Sequence, residues 1–478
     1  MRNSGDGTTF FSIDWSVILI YLVLVFLGLI NIYASVYDEN TSGFFDLSQR
    51  SGVQLIWIGI SVFIAASILL IEEKYYHILA YPLYWLSILA LLGMFVFGKE
   101  VNGAKAWYEI GPIRIQPVEF VKFTASLAIA RAMSSYSFSI HNLKSLFFVF
   151  TILFLPAIII ILQNDTGSAL VYGAFAFMLF REGFNGWVYI AVFMLITLFI
   201  LSFIIEPLPL IIMLFIFCLL AEAFVNGRWK SKAIYAAGVS LLTAIVFFTA
   251  KFTGGDMALD IALIVSIVLS FILVAIYSYR QKIVNVWLFV AMFIGSVGFT
   301  YAVDYVFDNV LQVHQQKRIL DLLGLEKDLK GWGYNVNQSK IAIGSGGLSG
   351  KGYLQGTQTK YDFVPEQSTD FIFCTVGEEW GFIGSAIVVI LFVILIVKLI
   401  SMGERQEETF GRIYCYCVAS VFFFHFIVNV GMTIGLMPVI GIPLPFFSYG
   451  GSSMLAFTML LFVAIKLDSS RKNHISRI

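Results

Sequence analysis

The sequence predicts an all-α, polytopic integral membrane protein of about fourteen transmembrane helices with one large external loop. Three observations predict it. Of 478 residues, 59% are hydrophobic and 13% are charged, where a soluble globular chain carries about 25% charged residues. Apolar runs long enough to cross a bilayer recur along the whole length. The runs are continuous rather than alternating, which selects helices over a barrel. The connections are too short for a separate soluble domain, so 1–478 reads as one membrane domain. A formal net charge of zero removes any bulk electrostatic pull on nucleic acid.

The runs fall at 15–36, 53–71, 78–97, 117–133, 146–163, 166–181, 187–205, 208–226, 233–250, 258–277, 284–303, 371–398, 411–434 and 449–467. Those at 117–133 and 166–181 are short, as a tilted or partly interfacial helix would be. The opening "MRNSGDGTTFFSIDW" lacks the small-residue cleavage site of a signal peptide, so the first run is expected to remain a span. Arg131, Lys144, Arg181, Arg228, Lys230, Lys232, Arg280, Lys282, Arg412, Arg471, Lys472 and Arg477 fall on one side of this count. The positive-inside rule makes that side cytoplasmic, with both termini inside. The acidic first loop and the segment 304–370 then lie outside. Cys218, Cys374, Cys415 and Cys417 sit in or beside apolar runs and read as small apolar side chains.

Segment 304–370 is the unusual connection. Its 67 residues hold seven basic and eight acidic side chains and are rich in Gly and Gln. Long connections in compact proteins are usually functional, so a structured external lid or platform is expected. Within it "YNVNQSKIAIG" has enough apolar residues for a short helix or strand against the membrane.

Chemistry-bearing residues cluster at the run boundaries. "GSGGLSGKG" is not a nucleotide loop: Ser345 stands where the first glycine belongs, and Gly352 follows Lys351 where a hydroxyl is needed. It reads either as a backbone cradle for a diphosphate with Lys351 as its cation, or as a flexible turn. Asp370, at the mouth of an apolar run, is either a general base or part of a helix cap, with Glu366 as its rival. Glu378 and Glu379 come about two turns deeper, where an acid must be paired or functional. Glu119 and Lys122 are three apart behind Pro117, hence on one helix face. Asp165 would cap the run that follows it. His425 and Asn429, four apart, line a polar seam or make a plain interhelical hydrogen bond. Three prolines in "GLMPVIGIPLPFFSYGGSS" rule out a continuous helix and predict a re-entrant segment.

Taken together, "GPIRIQPVEFVK", "LQNDTGSA", "HQQKRILDLL", "GWGYNVNQSKIAIGSGGLSGKGYLQGTQ", "FVPEQSTDFIFCTVGEEWGFIG" and "NVGMTIGLMPVIGIPLPFFSYGGSS" resemble the SEDS family of RodA, FtsW and SpoVE proteins, and within it the rod-shape-determining branch. The resemblance implies a peptidoglycan glycosyltransferase that polymerises lipid II outside the cytoplasmic membrane. It implies Asp370 as the essential aspartate, and gives motif positions to Gln116, Pro117, Glu119, Lys122, Gln163, Asp165, Gly167 and Arg318. Val118 replaces a family serine, Asn164 a proline, and Ala106 an arginine. Residues 187–290 match poorly and read as an insertion of about four extra helices into a ten-span core.

For such a reaction Asp370 is expected to act as base, with Lys122, Arg318 and Lys351 toward the diphosphate, Glu119 holding Lys122, and Asp165 shaping the floor. Gln116 and Glu366 are further candidates for substrate binding or structural support. A divalent cation, Mg²⁺ or Mn²⁺, would suit a site joining a carboxylate to a diphosphate, but the sequence shows no dedicated metal cage. The expected partners are lipid II, a class B penicillin-binding transpeptidase and other elongation-complex membrane proteins, with no nucleic acid. A membrane-side groove should open beside Lys122 or Arg318. Two other classes remain open: a lipid II flippase or other polyprenyl-lipid transporter, and a non-catalytic scaffold for a wall synthase.

Overall fold

The computed structural model of the protein describes residues 13–37, 45–101, 103–111, 113–226, 229–252, 261–262, 264–269, 285–309, 333–361 and 363–475, with 311, 316 and 320 as single positions. The chain divides into two compact units, Met1–Phe184 with Arg318–Ile478, and Asn185–Lys317.

In the first unit, α1 (Trp15–Ser35), α2 (Arg50–Leu70) and α3 (Glu73–Phe97) lead into a small antiparallel meander, β1 (Lys99–Val101), β2 (Ala104–Ile110) and β3 (Ile113–Ile115). The hydrophobic pattern gave no sign of this sheet: its strands are short and mixed in polarity. Next come α4 (Pro117–Met133), α5 (Leu143–Leu162), α6 (Thr166–Leu170) and, after a 3₁₀ turn, α7 (Phe175–Arg181). The second unit holds α8 (Gly186–Ile204), α9 (Pro207–Asn226), α10 (Trp229–Phe252) and α11 (Asn285–Asn309). Its own core includes Leu198, Leu210, Phe215 and Phe293. The expected insertion, 187–290, falls within this unit. The first unit resumes with α12 (Tyr334–Ser345), α13 (Thr357–Lys360), α14 (Ile372–Glu404), α15 (Thr409–Thr433) and α16 (Gly451–Ile475).

Among the described residues, eight helices are long and apolar enough to cross a membrane: α1, α2, α3, α5, α8, α14, α15 and the Gly451–Arg471 part of α16. Of the fourteen expected runs, thirteen coincide with helices, and most of 258–277 lies outside the described residues. The stretch "YNVNQSKIAIG" is helical, as α12.

Burial separates interior from lipid-facing helices. α4 is nearly all buried, and its Ala- and Ser-rich sequence lets neighbours approach closely. α3, α5, α15 and α16 pack around it. α2 and α3 present Phe63, Leu86, Leu89 and Val96 outward, as helices facing hydrocarbon do.

Two breaks shape the membrane interior. α14 is interrupted at Gly381, whose φ of 65° and ψ of −159° are open essentially to glycine alone. The backbone groups freed there are met by "GSGGLSGKG". Phe382 and Ile383 donate N–H to the carbonyls of Gly347 and Leu348, while Lys351 and Gly352 donate to those of Glu378 and Glu379. The second break is the proline-rich segment between α15 and α16. It dips to the middle of α1, where a Cβ on Gly28 would sit 2.7 Å from the Phe446 carbonyl oxygen. Leu444, Phe446 and Phe447 on this segment are buried. Irregular backbone at that depth needs protein around it, and it has it.

Candidate active site

Asp370 lies immediately before α14. The N-cap of that helix is Phe371, and no side chain caps it. The N-cap position thus falls on Phe371 and not on Thr369 or Asp370. Asp370 is held by its backbone: Asn429 Nδ2 donates at 2.8 Å to the Asp370 carbonyl and at 2.8 Å to that of Ile442. One α15 side chain thus ties the start of α14 to the re-entrant segment. On that segment, Gly441 adopts φ 75°, and a Cβ there would lie 3.3 Å from Asp370 Oδ2. Glycine leaves room for the carboxylate.

One turn earlier on α15, His425 continues the same seam. Its Nδ1 is 2.9 Å from the Pro443 carbonyl and its Nε2 is 3.0 Å from Lys122 Nζ. A carbonyl only accepts, so Nδ1 carries the proton and Nε2 accepts from the ammonium. Lys122 Nζ also donates to both Glu119 oxygens at 2.8 Å and lies 5.1 Å from the Phe457 ring centroid. Lys122 and Glu119 are 1% and 3% exposed. Both expected roles of the pair are thereby decided in favour of mutual pairing. The Lys122 ammonium is enclosed, and its three protons go to Glu119 and His425.

Asp165 is placed by a turn the sequence signalled only in part. α5 ends at Gln163, and Asn164 takes φ 63°. Asp165 N–H then bonds Ile160 O, and Asn164 N–H bonds Ile161 O, the two hydrogen bonds of a Schellman motif. A proline could not adopt this φ, which asparagine tolerates. The Asp165 carboxylate accepts from Ser168 N at 3.0 Å and Ser168 Oγ at 2.8 Å, capping α6 as expected. A Cβ on Gly167 would sit 2.3 Å from Ile440 O, so this turn abuts the re-entrant segment too.

Burial, with Glu366 and Asp165 adding their negative field, pushes the Asp370 carboxyl up to about 7. Glu366, at φ 54°, bonds Thr369 Oγ1 at 3.0 Å and faces Arg50 at 3.8 Å. Gln116 precedes α4, its N–H donating to Ser452 Oγ at 3.0 Å.

Lys351 is paired within the chain, its ammonium meeting Glu378 Oε1 at 2.6 Å and Thr357 Oγ1 at 2.8 Å. Glu378 also accepts the N–H groups of Gln358 and Thr359. Its depth in α14 is repaid by anchoring the loop that mends the Gly381 break. Of the block "GSGGLSGKG", read as a diphosphate cradle or a flexible turn, the N–H groups of 351 and 352 are committed to α14 carbonyls. Arg318 lies outside the described residues. Among the described residues no cluster of three or more His, Cys, Asp or Glu is arranged to hold a metal ion.

Sequence reasoning missed Arg50, which donates to Ser368 Oγ and approaches the Tyr449 ring at 5.8 Å. The available signal was its position: a lone basic residue at the span end that the count of basic residues assigns to the outside runs against the positive-inside bias.

Fold and site define a polytopic membrane protein whose polar elements converge on one uncapped aspartate at a helix mouth. The profile of the FtsW/RodA/SpoVE family, described as cell cycle proteins, matches residues 14–212 and 198–473. The chain belongs to that family. It is 32% identical over 442 residues to the peptidoglycan glycosyltransferase RodA of Treponema pallidum, covering 92% of this chain and 94% of that one. It is 26% identical over 476 residues to the peptidoglycan glycosyltransferase MrdB of Escherichia coli K12, covering 99% and 98%. In fold it is similar to a chain of a peptidoglycan synthase complex that coordinates polymerization and crosslinking, with TM-score 0.59, 24% identity, and 96% and 98% of the two chains covered. It is also similar to the rod-shape-determining protein RodA of Thermus thermophilus, with TM-score 0.54, 20% identity, and 96% and 97% covered.

Proposed function

We propose that the protein is a peptidoglycan glycosyltransferase that polymerises lipid II, an undecaprenyl-diphosphate-linked disaccharide-pentapeptide, and so supports lateral wall growth and cell shape. Family membership and relatives of full length bearing that activity support the reading. The observation that carries it is Asp370: uncapping, fixed by its backbone, flanked by space at Gly441, and poised near neutral pH.

The GlcNAc 4-hydroxyl of one substrate attacks C1 of the MurNAc of the other. The hydroxyl proton passes to the Asp370 carboxylate as the new C1–O bond forms. The C1–O bond to the diphosphate breaks, its electron pair leaving with undecaprenyl diphosphate, and the α linkage inverts to β-1,4. A base whose pKa lies near the working pH transfers protons most effectively. The buried Glu119–Lys122–His425 row and the Asn429 bracket hold the re-entrant segment against Asp370 and keep its geometry fixed.

Placement of the site on the external face, with both termini cytoplasmic, belongs to the same proposal and is supported by the distribution of basic residues. So does a class B penicillin-binding transpeptidase as partner, supported by the fold's likeness to a chain of a synthase complex. The test is polymer formation by the purified protein from labelled lipid II, with and without its cognate transpeptidase. Glycan ladders are expected. Transbilayer movement of lipid II without polymer, or no turnover by folded protein in either condition, would overturn the reading.

A further inference from the structure

α14 has Asp370 at its mouth and, toward its far end, forms one wall of a groove that the proposed reaction does not use. The groove, of about 630 Å³, lies between α7, α14 and α15. Its floor is buried, with Met178, Ile396, Ala419 and Phe426, while Phe177, Val397 and Ile400 on its walls are exposed. Ser420 is apolar in effect, since its Oγ donates to the Tyr416 carbonyl at 2.7 Å. Along α15 the lining runs from Tyr416 to Ile427, about 16 Å at about 1.5 Å per residue. That is about half of a hydrocarbon core about 30 Å thick, the reach of an acyl chain in one leaflet. A spanning helix would need a seat along the whole thickness.

One end of the groove is polar. Arg181, the last residue of α7, lines it beside Tyr416, whose ring centroid lies 5.6 Å from the Arg181 Cζ. Arg181 donates from Nε and Nη2 to Glu404, the last residue of α14, at 2.9 and 2.7 Å. Arg412, one turn before Tyr416 on α15, donates from Nε and Nη2 to Glu182 at 3.0 Å each. Two fork-to-carboxylate pairs thus tie together the three helices that form the groove. In neither arginine does Nη1 bond to any described residue, and the two side chains are 54% and 37% exposed. Each guanidinium therefore keeps two donors at the level where a chain lying in the groove would carry its headgroup. The count of basic residues assigns this end to the cytoplasmic side.

We infer that this groove binds one phospholipid of the cytoplasmic leaflet, with an acyl chain between α7, α14 and α15 and its phosphate at the spare Nη1 donors of Arg181 and Arg412. Glu404 and Glu182 balance both cations, so the phosphate is recognised by directed hydrogen bonds more than by net charge. Phosphatidylglycerol and phosphatidylethanolamine should both serve. The bound lipid joins α7 to α14 and α15 and stabilises the chain by mass action. This holds whether or not Asp370 polymerises lipid II.

The test titrates the full chain, delipidated in detergent, with phosphatidylglycerol, phosphatidylethanolamine and diacylglycerol, with soluble glycerol phosphate as competitor. Native mass spectrometry reads the one-lipid species, and thermal unfolding is followed in parallel. Both phospholipids should bind and raise the melting temperature, and glycerol phosphate should not displace them. Diacylglycerol should bind roughly tenfold more weakly, the usual worth of a charged hydrogen bond. Arg181→Gln should weaken phospholipid binding by about the same factor, and Ala419→Phe, which fills the floor, should remove it. Glu404→Gln, which frees further Arg181 donors, should tighten it severalfold. Phosphatidylglycerol with a photoreactive chain end should label residues 423–427. Unchanged affinity in both Arg181→Gln and Ala419→Phe would overturn the inference, as would equal binding of diacylglycerol. If Ala419→Phe fails to fold, Val397→Trp on the exposed wall takes its place. Absence of label from residues 423–427 in native membranes would mean that a partner's spanning helix fills the groove, and would overturn it too.

Discussion

Asp370→Asn should abolish polymerisation while leaving the fold intact. The amide keeps the size of the carboxylate and removes the lone pair that accepts the hydroxyl proton. The helix gains or loses no cap, because Phe371 is the N-cap and takes no side-chain bond. The Asn429 bond goes to the backbone carbonyl and survives the change. Loss of a general base costs roughly 10²–10⁴ in rate. The unmodified protein should also show an acid limb in kcat/KM. With the carboxyl raised to about 7, about a tenth of the molecules carry the ionised base at pH 6 and about nine tenths at pH 8. The rate should therefore fall about tenfold per pH unit below the midpoint, and this limb should vanish in Asp370→Asn. Glu366→Gln removes one of the two negative neighbours that raise the pKa, so its limb should move to lower pH. Initial polymer formation from labelled lipid II across pH 5–9, beside thermal unfolding of each variant, measures all of this. An Asp370→Asn protein polymerising at the unmodified rate, or a dead Glu366→Gln beside a live Asp370→Asn, would refute the assignment.

Three other outcomes follow from the packing. Lys122→Met should destabilise by about 3–5 kcal/mol, since it strands the buried Glu119 carboxylate; Lys122→Met with Glu119→Leu should recover most of that, and a melting series in detergent reads the coupling. Asn429→Leu should orphan the buried carbonyls of Asp370 and Ile442 at about 1–3 kcal/mol each, lowering both melting temperature and kcat. Gly381→Ala should prevent α14 from forming its break, because the required φ is strained for alanine and its Cβ would lie 2.3 Å from Gly350 N; a variant melting like the unmodified protein would contradict the described break.

Much of the fold was legible because a bilayer imposes one rule on the whole chain. A continuous apolar run must be a helix, and its length is fixed by membrane thickness. Local signals also served where chemistry is local: Pro117 at the start of α4, Asp165 capping α6, and Glu119 three residues from Lys122. What escaped were contacts between segments far apart in sequence. Nothing near Lys351 announces Glu378, 27 residues on, and nothing near Arg50 announces Ser368, 318 residues away. The glycine block misled for a related reason. Its conformational freedom suits an anion cradle and the mending of a broken helix equally, and only the position of Gly381 distinguishes them.

The site divides its charges by depth, and the division bears on how the reaction is timed. In the interior two acids are matched: Glu119 by Lys122, and Glu378 by Lys351 and two backbone amides. These pairs cost desolvation and return fixed geometry. At the helix mouth the balance is left negative around Asp370, with Asp165 and Glu366 both raising its pKa. A carboxylate in that setting resists ionisation until a positive or proton-donating group arrives, or until water is displaced by a substrate hydroxyl. A diphosphate-bearing substrate brings further negative charge toward Asp370. The base would thus become stronger when substrate is in place, and the pH midpoint measured with saturating substrate should lie above that of the free enzyme. A midpoint that falls on saturation would show that substrate instead brings net positive charge to Asp370, and the proposed coupling would be wrong.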